Sequence, residues 1–322
     1  MKLWTHSELE ALRRLRAGFL AGSAGGADYW KSDEDLALYD ATFAARIGWK
    51  VDAALRSAHA VGWRPRSTRV LDWGCGSGIA GRRVIAMWPG FVQLAVHDRS
   101  ARAVEFARKH APIPAEAGER VDRDTLLVLS HVLNELAPAA LEHVLELVRA
   151  AGEVVWIEAG THADSRRLIE VRERLRAEWR IVAPCTHAAS CGLLAAENAR
   201  HWCHHFASAP SAVFQDAKWA DFSRAIGIDL RSLPYSYLVL DRGADALVPG
   251  DASRIIGVPR ESKGYCRILS CQREGVADLM LQKRDAPALF RSVLREPEQP
   301  PHRWTMRGGR IVDGAPLTPR DA

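Results

Sequence analysis

The stretch VLDWGCGSG, residues 70–78, decides the fold of this 322-residue chain. It starts as a short apolar run, continues through Asp72, and places Gly74, Gly76 and Gly78 at every second position. Glycine allows a sharp turn and lets a ligand approach the backbone closely. The stretch therefore predicts a strand that ends in a ligand-binding loop, and Asp98 in LAVHDRS is the acid that ends the next strand.

Apolar runs and helical patterns alternate after this loop. The strand-like runs are RVLDWG, VQLAVHD, TLLVLS and EVVWIEA, and the helix-like segments between them are AGRRVIAM, ARAVEFARKH and AALEHVLELVRA. Alternation of this kind predicts an α/β fold with a doubly wound parallel sheet. Apolar residues at helical spacing predict a helical N-terminal region over residues 1–62, with a turn in the glycine-rich residues 22–27.

The order of residues in the glycine loop separates two kinds of nucleotide site. A dinucleotide fingerprint reads G-x-G-x-x-G, whereas this loop reads D-x-G-x-G-x-G. The loop resembles that of the class I S-adenosylmethionine-dependent methyltransferases, which implies a Rossmann-like core. A glycine turn that binds nothing is the alternative. The resemblance implies cofactor contacts from Asp72, Gly74, Gly76, Gly78, Asp98 and Ser130, with Asp98 on the ribose.

The segment SHVLNEL, residues 130–136, follows the strand where many amino-methylating members of that superfamily carry an Asn/Asp-Pro-Pro-aromatic motif. His131 and Asn134 are the candidates for groups that face the transferred methyl. Equally, Ser130 or Asn134 could cap a helix. Methyl transfer needs chiefly alignment of the reacting atoms, so the sequence leaves the catalytic residues open.

The six cysteines argue for metal binding or for buried thiols rather than for disulfides, because the N-terminus does not read as a secretory signal. Five residues separate Cys185 from Cys191, which is loose for the first ligand pair of a zinc site. Iron–sulfur clusters accept more variable spacing and a distant fourth thiolate.

Six segments, in order, resemble the small-ribosomal-subunit methyltransferase-like family known from mitochondria and bacteria: VLDWGCGSG, SHVLNEL, IEAGTHADSRRLIEVRERL, VAPCTHAASCGLL, HWCHHF and KGYCRILSC. The resemblance covers roughly residues 35–290. It implies a [4Fe–4S] cluster and association with small-subunit rRNA during ribosome assembly. The implied ligands are Cys185, Cys191, Cys203 and Cys271. Zinc, which the nearby His187, His201, His204 and His205 would also suit, and unligated core cysteines are the alternatives.

These inferences predict five segments: 1–62, the N-terminal helical region; 63–182, the S-adenosylmethionine-binding Rossmann-like core; 183–215, a cysteine-rich metal-binding insertion; 216–290, the remaining strands of the core with the last cysteine ligand; and 291–322, a C-terminal tail. We predict that the tail is irregular or a small hairpin.

Composition narrows the class of protein without fixing its partner. The formal charge is +5, and basic residues cluster in 13–16, 166–180, 283–284 and 303–310, as solvated faces or as RNA contacts. No apolar run approaches the ~20 residues of a membrane span. We therefore expect a cytoplasmic monomer with no membrane partner. Two functions fit: a methyltransferase of small-subunit rRNA in ribosome biogenesis or translation, and a non-catalytic rRNA-binding assembly factor that retains the fold.

Overall fold

The structure is a computed structural model that describes residues 3–21, 28–243 and 249–317. The described residues divide into two compact units, the first from 1–52, 65–156 and 208–233 and the second from 53–64, 157–207 and 234–322. The turn predicted in residues 22–27 lies outside the described residues.

Nine α-helices and thirteen strands are found among the described residues. The helices are α1 (His6–Ala21), α2 (Asp33–Tyr39), α3 (Ala45–His59), α4 (Ile79–Met87), α5 (Ala101–Lys109), α6 (Pro138–Ala150), α7 (His162–Leu175), α8 (Ala217–Ile226) and α9 (Pro287–Arg295). The strands are β1 (Arg69–Trp73), β2 (Gln93–His97), β3 (Ala115–Ala117), β4 (Thr125–Ser130), β5 (Glu153–Ala159), β6 (Arg180–Ala183), β7 (His205–Ala207), β8 (Leu233–Asp241), β9 (Arg254–Ser262), β10 (Tyr265–Gln272), β11 (Gly275–Gln282), β12 (His302–Arg307) and β13 (Arg310–Pro316).

The first unit contains the strands that the sequence predicted around the glycine loop. Its strands follow the order β3-β2-β1-β4-β5, and β1 is parallel to both β2 and β4. Asp72 lies opposite Val96 on β2 and Val128 on β4, so the carboxyl ends of these three strands meet at one edge. In open α/β sheets, ligands bind beyond this edge. The predicted α/β fold is confirmed, and β1, β2, β3 and β4 pair in the predicted parallel direction.

The N-terminal helices pack into the first unit through two apolar clusters. Leu12 of α1 contacts a cluster that includes Phe43 and Phe222, while Leu15 contacts Trp30 and Ala103 of α5. The start of α1 is fixed by a capping box, in which the Glu8 backbone N–H donates to the Thr5 hydroxyl and the Thr5 N–H donates to the Glu8 carboxylate. These contacts place α2 and its continuation close to the glycine loop.

The second unit contains two groups of strands. β8 pairs with β7 and lies antiparallel to β6, and a separate five-stranded sheet has the order β12-β13-β11-β10-β9. The sequence assigned all strands of residues 216–290 to the core, but β9, β10 and β11 instead pack their inward side chains against α9 and Ile311 of β13. The predicted tail contributes β12 and β13 to this sheet.

Hydropathy along the helices bears on membrane association. Within the described part of the chain, no helix combines the length and the apolar character that crossing a membrane requires.

Glu153 at the start of β5 holds the segment that precedes β1. Its carboxylate, with only 2% of the residue exposed, accepts hydrogen bonds from the backbone N–H groups of Arg66, at 2.8 Å, and Ser67, at 3.0 Å. The Ser67 hydroxyl donates a third bond, at 2.5 Å. The carboxylate thus fixes the entry into the central strand.

Replacing Glu153 with alanine leaves these donors without their buried acceptor. We expect Glu153→Ala to lower the free energy of unfolding by about 2–3 kcal/mol, since a bond to a charged group contributes about 1.5–3 kcal/mol. Urea unfolding followed by circular dichroism measures this. Glu116→Ala on exposed β3 is the control and should change stability by less than about 0.5 kcal/mol. Equal losses in the two variants would contradict the assignment.

Candidate functional site

The glycine loop between β1 and α4 adopts a backbone that side chains disfavour. The φ angles are +71° at Gly74, +52° at Gly76 and +79° at Gly78. A Cβ atom at Gly74 would lie 2.4 Å from a methyl group of Val132, and one at Gly78 would lie 2.9 Å from the Ala107 Cβ. Glycine is therefore required at these positions for conformation and for space.

Two carboxylates border this loop. Asp72 is buried below it, where Oδ2 accepts from the Gly81 N–H at 2.8 Å and Oδ1 has no hydrogen-bond partner among the described residues. Burial raises the pKa of Asp72 to about 7. Asp98 follows β2 and is half-buried; it accepts from the backbone N–H groups of Gly76 and Ser100, each at 2.9 Å. Burial also raises the pKa of Asp98.

Tyr39 at the end of α2 is a residue of this site that the sequence did not reveal. A Cβ atom at Gly76 would meet only Tyr39, at 3.9 Å, so the space in front of the loop is open and bounded by that ring. Burial, and then the charges of Asp40, Glu135, Asp98 and Asp72 in that order, raise the pKa of Tyr39. The N-terminal helical region thus provides one wall of the site.

A second wall comes from the segment that precedes α2. The Ser100 hydroxyl donates to the Asp28 carboxylate at 2.6 Å. Arg99 lies 4.8 Å from the ring centroid of Tyr29 and pairs with Glu135 at 3.4 Å. Helical periodicity alone gives no signal for these contacts, because their partners lie far apart in sequence and on different elements.

Among the described residues, His131, directly after β4, is the non-glycine residue with a left-handed backbone, at φ +57°. Its Nε2 lies 3.4 Å from the Lys50 Nζ and its Nδ1 lies 3.2 Å from the Ser130 hydroxyl. Burial, followed by the charges of Lys50 and Arg46, lowers the pKa of His131 well below its ordinary value, so the ring is neutral at physiological pH. Asn134 is exposed on a single 3₁₀ turn, Leu133–Glu135.

The four predicted cysteine ligands lie in the second unit and converge on one pocket. Cys191 and Cys271 pack in a cluster with Ile256 and Ile169, and Cys203 packs against the same cluster. Burial raises the pKa of Cys203 well above its ordinary value, and the charges of Cys185, Cys191 and Cys271 raise it further. Each of the three other thiols is therefore within electrostatic range of Cys203.

Arg172 of α7 also belongs to this pocket, although the sequence analysis did not assign it there. It is 3% exposed, and its Nε donates to the Cys185 Sγ at 3.2 Å. Its Nη2 donates to the carbonyl oxygens of His187 and Ala189, at 3.0 and 2.8 Å. Although burial opposes the charge, Cys185, which accepts the hydrogen bond, and then Cys191 and Glu173 raise the pKa of Arg172.

Two further arginines, one in α7 and one directly after it, also face the cysteine segment. Arg166 donates to the carbonyl oxygens of Asn198 and His201, and Arg176 donates to that of Ala188. The basic stretch 166–180 was predicted as a solvated face or an RNA contact. Arg166, Arg172 and Arg176 instead hold the segment that carries the cysteines. A count of charges does not reveal these contacts.

The remaining cysteines lie away from the pocket. Cys266 and Cys271 lie on opposite faces of β10. Cys266 is buried in the core of the five-stranded sheet, together with Ile268 and Leu281. Cys75 is buried in the glycine loop, where burial raises the pKa of its thiol. A Cβ atom at Gly192 would lie 2.7 Å from the Gly275 Cα, so the cysteine segment contacts the β10–β11 turn directly.

Two histidines contact the thiols. His187 Nε2 lies 3.6 Å from the Cys271 Sγ, and His205 Nε2 lies 3.8 Å from the Cys203 Sγ. In the described ranges, no three or more His, Cys, Asp or Glu side chains are grouped closely enough to hold a metal ion as they stand.

A sequence profile of one protein family matches residues 37–295 of the chain. That family is described as the mitochondrial small ribosomal subunit Rsm22. This chain belongs to the Rsm22 family. The match spans both the glycine loop and the cysteine pocket, and it agrees with the predicted methyltransferase-like, small-ribosomal-subunit family. No curated protein matches the chain by sequence.

Solved structures similar to this Rsm22-family chain include methyltransferases. The plantazolicin methyltransferase BpumL, solved with S-adenosylhomocysteine, has 13% identity and a TM-score of 0.37; the match covers 74% of this chain and 98% of that one. A Pyrococcus horikoshii protein, described only provisionally as an RNA methyltransferase, has 10% identity and a TM-score of 0.36, with 72% and 99% coverage.

The raised pKa of Asp72 makes the stability of this Rsm22-family chain depend on pH. Its pKa of about 7 exceeds the ordinary 3.8, so the folded state binds more protons than the unfolded state between these values. The contribution of Asp72 to stability therefore falls as the pH rises from about 4 to about 7. We expect the stability of Asp72→Asn, relative to the unsubstituted chain, to increase across this range.

Urea unfolding at several pH values between about 5 and 8 measures the effect, at up to about 1.4 kcal/mol per pH unit. Glu116→Gln, on exposed β3, is the matched control and should show a constant difference. A pH-independent difference for Asp72→Asn would show that Asp72 is ionised throughout.

Proposed function

We propose that the chain is an S-adenosylmethionine-dependent methyltransferase that acts on small-subunit rRNA in ribosome assembly or translation. The observation that carries the proposal is the left-handed glycine loop, bordered by Asp72 and Asp98 at the ends of adjacent parallel strands. The cofactor would supply an electrophilic methyl group. Family membership supports the ribosomal assignment.

The residues around the loop fit this cofactor. Asp98 is half-buried and would accept hydrogen bonds from the ribose hydroxyls, as carboxylates at this position of doubly wound folds do. Gly76 in the middle of the loop has room in front of it, since Tyr39, at 3.9 Å, is the described residue nearest to a Cβ atom placed there. Asp72 would hold the loop through Gly81, and its second oxygen is available to a further donor. Ser130 would bound the opposite side of the site, after β4.

His131 is the better of the two candidates for a group at the methyl-transfer edge. Its strained backbone follows β4 directly, whereas Asn134 is exposed. Strain of this kind concentrates at functional sites. Because its pKa is well below neutrality, His131 would be a weak general base; its neutral ring would orient the substrate by hydrogen bonding.

A second candidate function is a non-catalytic rRNA-binding assembly factor. The segment SHVLNEL in place of the amino-methylation motif, together with the low pKa of His131, favours it. Transfer of labelled methyl groups from S-adenosylmethionine to purified small-subunit rRNA separates the two functions. Cofactor binding without methyl transfer to RNA would favour the assembly factor.

Removal of the Asp98 carboxylate tests the cofactor site. We expect Asp98→Ala to weaken S-adenosylmethionine binding by about 10- to 100-fold, since hydrogen bonds to a charged group contribute about 1.5–3 kcal/mol. Isothermal titration calorimetry gives the dissociation constant. Glu116→Ala should bind like the unsubstituted chain. Unchanged affinity in Asp98→Ala, or no binding by the unsubstituted chain, would refute the site.

We infer that Cys185, Cys191, Cys203 and Cys271 bind a structural [4Fe–4S] cluster. The convergence of four thiols on one pocket supports this, because such clusters take four thiolates of variable spacing. As placed, the side chains form no metal-holding group, so binding would draw the sulfurs together, as metal binding commonly couples to local folding. Zinc is the alternative, with His187 or His205 as nitrogen donors.

Arg172 adds an electrostatic argument for this site. Thiolates carry negative charge, and a buried cation is stable only when it is paired and hydrogen-bonded. The Arg172 guanidinium meets that requirement with the Glu173 carboxylate, the Cys185 sulfur and two carbonyl oxygens. It would therefore balance part of the charge of an anionic thiolate cluster in a pocket of low polarity.

Metal analysis of anaerobically purified protein tests the cluster. We expect about four irons and four sulfides per chain, with broad visible absorbance. Both should be lost in Cys191→Ser and kept in Cys266→Ser, because Cys266 lies on the opposite face of β10. One zinc per chain, or iron retained in Cys191→Ser, would contradict the assignment.

A further inference from the structure

The five-stranded sheet of the second unit closes into a barrel. β9, β10 and β11 form an antiparallel meander, α9 connects β11 to β12, and β13 lies parallel to β11 and antiparallel to β12. An antiparallel bridge between Ser253, directly before β9, and His302, at the start of β12, joins the two edges. The ring order β9-β10-β11-β13-β12, with a helix after the third strand, is the topology of the OB-fold.

The interior of this barrel is filled and leaves only the outer surface for a ligand. Ile255, Cys266, Ile268, Leu279 and Leu281 point inward and pack against the apolar side chains of α9. The Trp304 indole N–H donates to the buried Ser270 hydroxyl at 3.0 Å, which satisfies both inward polar groups.

Positive charge is concentrated in this part of the chain. Residues 254–317 contain twelve Lys and Arg against seven Asp and Glu, a formal charge of +5 that equals that of the whole protein. In the rest of the chain, Lys and Arg are equal in number to Asp and Glu. The barrel is therefore the region best suited to a polyanion.

Several of these cations lie at one end of the barrel. The β9–β10 turn contains Lys263, and the Lys283 N–H after β11 donates to the Gly264 carbonyl at 2.9 Å. Arg310 at the start of β13 lies opposite Met280 on β11, and Arg307 is its partner on β12. Lys263, Lys283 and Arg307 are exposed and have no carboxylate partner in the described part of the chain.

The outer face of β9 and β10 next to this end is polar and carries one aromatic ring. Tyr265 and Arg267 alternate with the inward residues of β10, and Arg260 of β9 lies opposite Arg267. Asp278 of β11 accepts from both guanidinium groups, at 2.5 and 3.0 Å, which holds the two arginines along the sheet.

The other half of the same face is covered. Cys271 and Leu269 of β10 and Val276 of β11 pack with the cysteine segment. The free part of the face is therefore the part that adjoins the basic end.

We propose that this face, defined by Arg260, Tyr265 and Arg267 together with Lys263, Lys283 and Arg307 at the barrel end, binds single-stranded RNA. In an OB-fold, the second and third strands with their adjoining loops commonly bind oligonucleotides. The corresponding strands here are β10 and β11. An aromatic ring stacks an unpaired base, and unpartnered cations contact phosphates. The inference rests on the proposed function, because it names an unpaired rRNA segment as the partner.

Fluorescence anisotropy with a labelled single-stranded RNA of about 12 nucleotides, and with the duplex of the same sequence, tests the proposal on the full-length protein. We expect Tyr265→Ala to weaken single-strand binding by about 5- to 150-fold and Tyr265→Phe, which keeps the ring, to bind normally. Replacing Lys263, Lys283 and Arg307 with alanine should reduce the slope of log affinity against log salt by about 2. A matched control removes the exposed cations Arg291 and Arg295 of α9, outside this face.

Binding that is unaffected by both sets of substitutions, weakened equally by the α9 control, or as tight for duplex as for single-stranded RNA would overturn the proposal. Titration of S-adenosylmethionine into the same variants separates this result from the proposed methyltransferase function. Tyr265-dependent RNA binding without cofactor binding would support the barrel face and refute the methyltransferase. Cofactor binding together with RNA affinity that is independent of Tyr265 would support the cofactor site and refute the barrel face.

Discussion

The left-handed backbone of Gly74, Gly76 and Gly78 is the constraint on which the candidate cofactor site depends. It lets the chain reverse from β1 into α4 within a few residues, and the hydrogen bond from the Gly81 N–H to the Asp72 carboxylate fixes the reversal. The parallel pairing of β1 with β2 and β4 then brings Asp98 and His131 to the same edge. Each of these residues is ordinary by itself; their alignment follows from the parallel sheet.

Burial decides the electrostatics of both candidate sites. It raises the pKa of Asp72 and Asp98 and lowers that of His131, because burial disfavours the charged form of each of these groups. In the cysteine pocket, the buried charge of Arg172 is held by the Cys185 sulfur and by carbonyl oxygens. A buried guanidinium without partners would be costly, and Arg172 finds them in the Glu173 carboxylate as well as in the Cys185 sulfur and these carbonyl oxygens.

Alternation along β10 separates two roles within one strand. Cys266 faces the barrel core and Cys271 faces the cysteine pocket, because successive side chains of a strand point to opposite faces. Tyr265 and Arg267 lie on the same side as Cys271, near the other end of the strand. The proposed RNA face and the proposed cluster would therefore share β10, and loss of the cluster would loosen the strand that presents the RNA face.

The sequence by itself determined the glycine loop, the acids that border it, and the alternation of strands and helices. These depend on local backbone conformation, on short-range periodicity, or on a resemblance carried by contiguous segments. The sequence missed β3, whose residues AEA lack an apolar run, and it assigned β9–β11 to the wrong sheet. Only the tertiary structure decided the positions of Tyr39 and Arg172 and the closure of the barrel, because each depends on contacts between residues far apart in the chain or on burial, which neighbouring residues do not encode.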